Sequence, residues 1–237
     1  MVECWQVEVN TRMKKLTILL AVAALIISAI SLYTALEANR IAKESSLPMV
    51  TAISNLVYDE EGSLSIEKIS VTNGGQPLKN FRCVPYAIME IRPSFSTYAE
   101  PTCLNLIGYF NLFREEYTGN NQGLLYTVFV ENSFSKYMSV ENKLLEAAKK
   151  DGYQSVWLTL TIVLSIDYSD QFGQHWDEYL LATRKGSYEM DKNKASSMLS
   201  SAFENQFLAE SSGLNLYIDE LDGAELWNWY KAEILEE

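Results

Sequence analysis

The spacing of apolar positions changes period once along the chain. From Leu16 to Leu36 (LTILLAVAALIISAISLYTAL) 21 residues pass without a charge, a proline or a glycine. A helix of that length covers about 31 Å, the thickness of a bilayer's hydrocarbon core. A helix is the predicted form because backbone groups without water must bond within their own segment. The run is apolar around its whole circumference, which separates it from an amphipathic core helix. Beyond it, Glu37, Arg40 and Glu44 recur at helical spacing, predicting a polar stalk over 37–47 that Pro48 stops.

After Pro48 the period falls to two. Val156, Leu158, Leu160, Ile162, Leu164, Ile166 and Tyr168 share one face of a long strand, with mainly polar residues between them. The turn Ser169–Gln174 then predicts a hairpin return over 175–183. Weaker strands are predicted at 49–58, 64–72, 81–91, 104–113 and 124–130, about seven in all. The apolar phase shifts at Glu67-Lys68, which predicts a bulge, and Pro85 argues for an edge or a bulge. Three helices are expected: one capped by Ser139 and running to about Lys150, one capped by Asp191, and one marked by Leu226, Trp227, Tyr230 and Ile234. In the second, Met198, Leu199, Ala202, Phe203 and Phe207 form the expected apolar stripe.

The fold class that follows is mainly β with added helices: a transmembrane helix, an antiparallel β-sandwich-like domain, and a C-terminal helical extension. The expected boundaries are a tail over 1–15, a membrane span over 16–36, a stalk over 37–47, a sandwich with one inserted helix over 48–186, and an acidic extension over 187–237 packed on it. From Ser187 onward there are three basic and eleven acidic residues. About fifty residues make a marginal core alone, hence the reading as an extension.

Charge narrows the partners. The 237 residues carry a net charge of −12, and past residue 36 there are sixteen basic and twenty-nine acidic side chains. Neutralising phosphates needs a basic surface, so nucleic acid is excluded as a partner. The implied partners are membrane lipid, through residues 16–36, and another protein. Arg12, Lys14 and Lys15 precede the span while Arg40 and Lys43 follow it, an excess that favours a cytoplasmic N-terminus and an exported C-terminal domain. Met13-Lys14-Lys15 also has the form of a signal n-region, which leaves Met13 as an alternative start. Cleavage needs small residues at −3 and −1; the best match, Ala29-Ile30-Ser31, lies inside the apolar run, so an anchor is favoured over a cleaved signal.

Candidate chemistry is sparse. His175 is the single histidine, and Asp167, Asp170 and Asp177 lie near it along the hairpin, so a catalytic or metal role would centre there. The competing reading is a solvated hairpin tip. Neither G-x-S-x-G, H-E-x-x-H, C-x-x-C nor a phosphate-binding glycine loop occurs, and no cofactor is implied. Asp59 to Glu61, and Asp219, Glu220 and Asp222, are acidic turns without the order of a calcium loop. Cys83 and Cys103 flank a proline-bounded loop and would bridge it in an oxidising compartment, or stay as buried thiols. Trp227, Trp229 and Tyr230 form either an interaction patch or core packing.

An N-terminal span, the stalk Glu37–Pro48, the turn Val71-Thr72-Asn73-Gly74-Gly75 and the hairpin Tyr168-Ser169-Asp170-Gln171-Phe172-Gly173 together resemble a loose group of uncharacterised bacterial single-pass membrane proteins with a stalk and a β-sandwich-like domain. The resemblance covers roughly residues 14–185 and implies an architecture without an assigned activity. The function expected on these grounds is non-catalytic binding or scaffolding at the bacterial cell envelope. The alternative is a membrane-anchored hydrolase or metal-dependent enzyme centred on His175.

Overall fold

The computed structural model describes residues 2–44, 47–58, 64–93, 101–153 and 156–235, which fall into two units divided between Leu47 and Pro48. The first unit is one helix, α1 (Val2–Glu44). Its segment Thr17–Ala42 has a mean hydropathy of 2.4 and none of its apolar window is buried in the protein, so by length and composition it can cross a membrane; a signal sequence would pass the same test. The helix begins well before the predicted span, so the expected tail is helical from Val2. In the stalk, Arg40 donates to Glu37 at 2.5 Å, one turn apart as their spacing requires.

Among the described residues, the second unit is built on nine strands. They are β1 (Val50–Tyr58), β2 (Leu64–Asn73), β3 (Lys79–Pro93), β4 (Thr102–Asn105), β5 (Asn111–Tyr117), β6 (Gly123–Glu131), β7 (Val156–Ser169), β8 (His175–Thr183) and β9 (Gly186–Met190). They form two antiparallel sheets, one in the order β1-β2-β6-β5 and the other β4-β3-β7-β8-β9. The predicted alternation sets the layers. Ala52, Ile69, Val71, Tyr126 and Val128 from the first sheet and Ala87, Met89, Ile91, Ile162, Leu164 and Ile166 from the second share one buried core. Each large aliphatic side chain so buried contributes about 1.5–3 kcal/mol.

Three helices complete the unit: α2 (Ser133–Lys150), α3 (Lys192–Ser211) and α4 (Gly223–Tyr230), which runs on into a π-type turn, Lys231–Leu235. Asp191 caps α3 by accepting from the Lys194 amide at 3.0 Å, as its position predicts. Helix α3 covers the outer face of the larger sheet, where Leu199 and Ala202 meet Ile88 and Val163. Its buried stripe is mostly small, Ala195, Leu199, Ala202 and Ala209, whereas Phe207 is 75% exposed and Phe203 only edges onto Tyr86. Of the expected stripe, Met198, Leu199 and Ala202 lie on the packed face, while Phe203 and Phe207 lie off it. Helix α2 starts six residues before Ser139, after Asn132, which stands at φ 59°.

The strand predictions needed two additions. The run 104–113 breaks at Gly108 (φ +71°) into β4, an isolated bridge between Ile107 and Tyr217, and β5. Strand β9 pairs with β8 as far as Met190, so the sheet extends past the expected boundary at 186. Pro85 does sit at a local edge: β4 opposes only Ile88–Ile91, leaving Pro85 paired on the β7 side alone.

The proposed interaction patch is core. Trp227, Trp229 and Tyr230 are all buried, since α4 lays them between α2 and the sheets. The Trp227 indole and Lys231 both donate to Asp151 at the end of α2, at 2.8 and 2.6 Å. Asp222 caps α4 and pairs with Lys143 of α2 at 2.7 Å. The hydrogen bond from Lys143, helped by the α4 amides, holds the Asp222 carboxyl below the ordinary range, and its contribution is therefore present at neutral pH and lost as acid protonates it.

The α2–α4 approach is closest at Gly223, where a Cβ would lie 2.1 Å from the Val140 carbonyl oxygen and 2.7 Å from the Leu144 amide. Gly223→Ala is expected to destabilise the unit by about 1–3 kcal/mol through overpacking. Gly74→Ala, whose Cβ meets nothing within 4 Å, should change stability by less than about 0.5 kcal/mol. Thermal denaturation of the detergent-solubilised full chain checks both; equal midpoints would contradict the packing.

Candidate functional site

Strand β2 places Glu67, Ile69 and Val71 on its inward face, the last two wholly buried. The phase shift at Glu67-Lys68 is thus not a bulge: pairing runs unbroken through Asn55–Lys68 and Leu56–Glu67, and the irregularity falls at Val57/Tyr58 instead. A carboxylate occupies a core position. Glu67 is 8% exposed. The buried Ser54 hydroxyl, from β1, donates to its Oε1, and the Tyr109 hydroxyl donates to Oε2 at 3.3 Å. Burial, followed by the charge and hydrogen bond of Glu67, pushes the Tyr109 phenol above its ordinary value, so it stays protonated as a donor.

Glu67 forms the floor of a cleft of about 210 Å³ between the two sheets. Its walls are Leu160 and Ile162 of β7, Ala182 of β8 and Phe134 in the first turn of α2; Ser54, Thr183 and Arg184 complete the lining. Arg184 is exposed in the β8–β9 turn, with its guanidinium carbon 5.6 Å from the Phe134 ring centroid, within cation–π range. The turn that holds it is fixed by Thr183, whose hydroxyl donates to the Gly186 carbonyl at 2.6 Å and accepts from the Lys185 amide at 3.2 Å. Gly186 stands at φ +126°, a conformation other residues rarely adopt. Next to it, Ser187 accepts from the Ala52 amide at 2.9 Å and fastens β9 to β1 across the sheets.

Among the described residues, Glu67 and Arg184 have no ion-pair partner and do not pair with each other. Buried charges are normally paired because desolvation costs several kcal/mol per ion. Two hydroxyl donors offset part of that cost here; Arg184 lines the same cleft and its charge is felt at Tyr109, but it makes no ion pair with Glu67. Two other depressions lack such a group. One, lined by Asp177, Glu178, Glu189 and Lys192, holds the Lys192–Asp177 ion pair at 2.6 Å, and its half-buried Glu178 accepts from the Tyr168 hydroxyl at 2.8 Å. The other, around Phe203, Gln206 and Tyr217, is a wide surface groove.

The hairpin residues singled out from sequence are dispersed in role. His175 opens β8, is largely exposed, and lies 3.5 Å from the Asp167 carboxylate. Asp167 and Asp177 are directly opposite in the β7–β8 register, yet Asp177 is taken by Lys192. Asp170 is fully buried and staples the turn, accepting from the amides of Phe172 and Gln174 at 2.9 Å and from the Trp176 indole at 3.4 Å. None of the four lines the inter-sheet cleft. Among the described residues, no three His, Cys, Asp or Glu side chains converge as a metal site would require.

Cys83 and Cys103 are both buried, and the bridge allowed for in the sequence does not form between them. Register explains it: Cys103 lies opposite Glu90, seven residues along β3 from Cys83. That is about 23 Å of strand, against the roughly 7 Å limit for bridged Cα atoms. The acidic turn Asp59–Glu61 lies outside the described residues. In the other, Asp219 pairs with Lys136 and Asp222 with Lys143, so both carboxylates already have cations.

Sequence reasoning missed Ser54, Tyr109, Phe134 and Arg184, and read Glu67 as part of a bulge and not as a site residue. The one signal for them was an acid where the alternation of β2 calls for an apolar residue. Compared with known proteins, the chain matches no family model, and neither a curated protein nor a solved structure is similar to it.

Asp170→Ala, which leaves three donors unsatisfied in a closed turn, should cost about 2–4 kcal/mol. His175→Ala should cost less than about 0.5 kcal/mol. Denaturant unfolding of the full chain in detergent measures both. A larger loss at His175 would overturn these roles.

Proposed function

We propose that this chain is a membrane-tethered, non-catalytic binding or scaffolding protein of a bacterial cell envelope, with residues 16–36 as its anchor and the exported sandwich as its binding unit. One observation carries the reading: a buried carboxylate without a cation, at the floor of an open cleft between the sheets. A chain gains nothing in stability from such a group, whereas a binding site does gain from a pre-placed acceptor whose partner comes from outside. The tether is supported by the unburied apolar helix, and the exported side by the distribution of basic residues around it.

An enzyme centred on His175 is the weaker reading. Its ring stands on an exposed hairpin with one carboxylate at 3.5 Å, whereas acid–base catalysis is helped by a concave, water-excluding site.

The test places p-benzoylphenylalanine at Phe134, a cleft wall, or at Phe207, an exposed site on α3, in cells that make the full chain. The expected result is a photo-adduct from Phe134 and none from Phe207, on a chain that stays with the membrane pellet after alkaline carbonate. Release by carbonate would contradict the tether, and equal or absent labelling at the two positions would contradict the binding site.

A further inference from the structure

We infer that the inter-sheet cleft binds a small zwitterion of the amino-acid class, its ammonium on Glu67, its carboxylate on Arg184 and its side chain against Leu160, Ile162 and Phe134. The inference rests on the binding reading above and names the ligand of that same cleft.

Three features of the cleft select this chemistry. The floor is an acceptor: Glu67 takes one hydrogen bond on each carboxylate oxygen, from Ser54 and Tyr109, and a carboxylate has about four acceptor sites, so capacity remains for a donor from the cleft. Both protein donors are neutral hydroxyls and Glu67 makes no ion pair among the described residues, and an ammonium supplies donor and charge together. The rim is a donor of opposite sign. Arg184 lines the same cleft, has no carboxylate partner among the described residues, and is positioned by the Phe134 ring and by the fixed β8–β9 turn. Guanidinium takes a carboxylate in a two-pronged geometry that ammonium ligands on a protein cannot match. The other walls, Leu160, Ile162, Ala182 and Phe134, are aliphatic and aromatic.

Size sets the upper limit. At about 210 Å³ the cleft falls below the range of about 300–1,000 Å³ found for drug-sized ligands. It has room for the volume of about seven waters, which suits a free amino acid with a short apolar side chain and is too small for a nucleotide. A ligand with one charge would leave either Glu67 or Arg184 unanswered. A neutral apolar ligand would bury the carboxylate further without a cation, which costs rather than stabilises.

Calorimetric titration of the full chain in detergent micelles tests this, using L-leucine, N-acetyl-L-leucine (without the ammonium) and L-leucinamide (without the carboxylate). L-leucine is expected to bind saturably at one site, with each derivative at least about tenfold weaker. Glu67→Gln should bring L-leucine and N-acetyl-L-leucine to within about threefold of each other, and Arg184→Gln should do the same for L-leucine and L-leucinamide. Arg184 is exposed, so that variant keeps the test valid should Glu67→Gln fail to fold. Absence of saturable L-leucine binding up to about 10 mM, or derivatives that bind as well as L-leucine, would overturn the inference. If L-leucine fails while the Phe134 adduct forms, the ligand class falls and the binding site stands; if both fail, both fall.

Discussion

The antiparallel pairing of β3 with β7 is the constraint from which the rest of the domain follows. It runs in register from Arg82–Asp167 to Pro93–Val156, longer than any other pair among the described residues, and both strands have two covered faces over part of their length. Because side chains alternate with period two, this one register decides what faces inward and what faces α3. A slip by one residue would turn Met89 and Ile91 toward the outer helix and Glu90 into the core. The hairpin to β8 is fixed next, by Asp170 in its turn, and β8 leads directly to the turn that carries Arg184. The cleft is therefore built from strand positions whose placement was settled by the pairing of the core.

Within this frame the cleft is a place where alternation is kept but its chemistry is changed. On β1 the inward positions read Ala52 and then Ser54; on β2 they read Val71, Ile69 and then Glu67. Toward Glu67 the interior becomes polar while the opposing wall, Leu160, Ile162 and Ala182, stays apolar. A sandwich selected for stability alone would fill those positions with aliphatic side chains, since buried ionic groups are often neutral or worse when compared with apolar replacements of similar volume. Residues that break a local rule without gaining stability are commonly those kept for function.

The parts legible in the sequence were those with long, uninterrupted periods. The apolar run from Leu16, the thirteen-residue alternation from Val156 and the Asp191 cap each repeat one physical rule often enough to stand above noise. What was not legible depended on distance in three dimensions. Trp227 and Tyr230 look equally suited to a surface or a core until α4 is seen against α2, where Gly223 removes the Cβ that would keep the helices apart. Cys83 and Cys103 flank one loop in sequence, yet register sets them far apart along β3 and β4. Short β9 has too few residues to show a period. Glu67 was noticed, but a break in apolar phase has two causes, an extra residue or a polar one facing inward, and sequence alone does not separate them.

That Glu67 and its two hydroxyl partners serve binding and not folding is the claim most exposed to experiment. The direct measurement is the thermal midpoint of the full chain carrying Ser54→Ala, Glu67→Met and Tyr109→Phe together, so that no polar group is left orphaned. A midpoint at or above that of the parent chain is the expected result, since apolar side chains of similar volume replace a buried charge that has no ion-pair partner among the described residues. A drop of about 6 °C or more, roughly 2 kcal/mol for a unit of this size, would show that the carboxylate holds the sandwich together and would contradict the account.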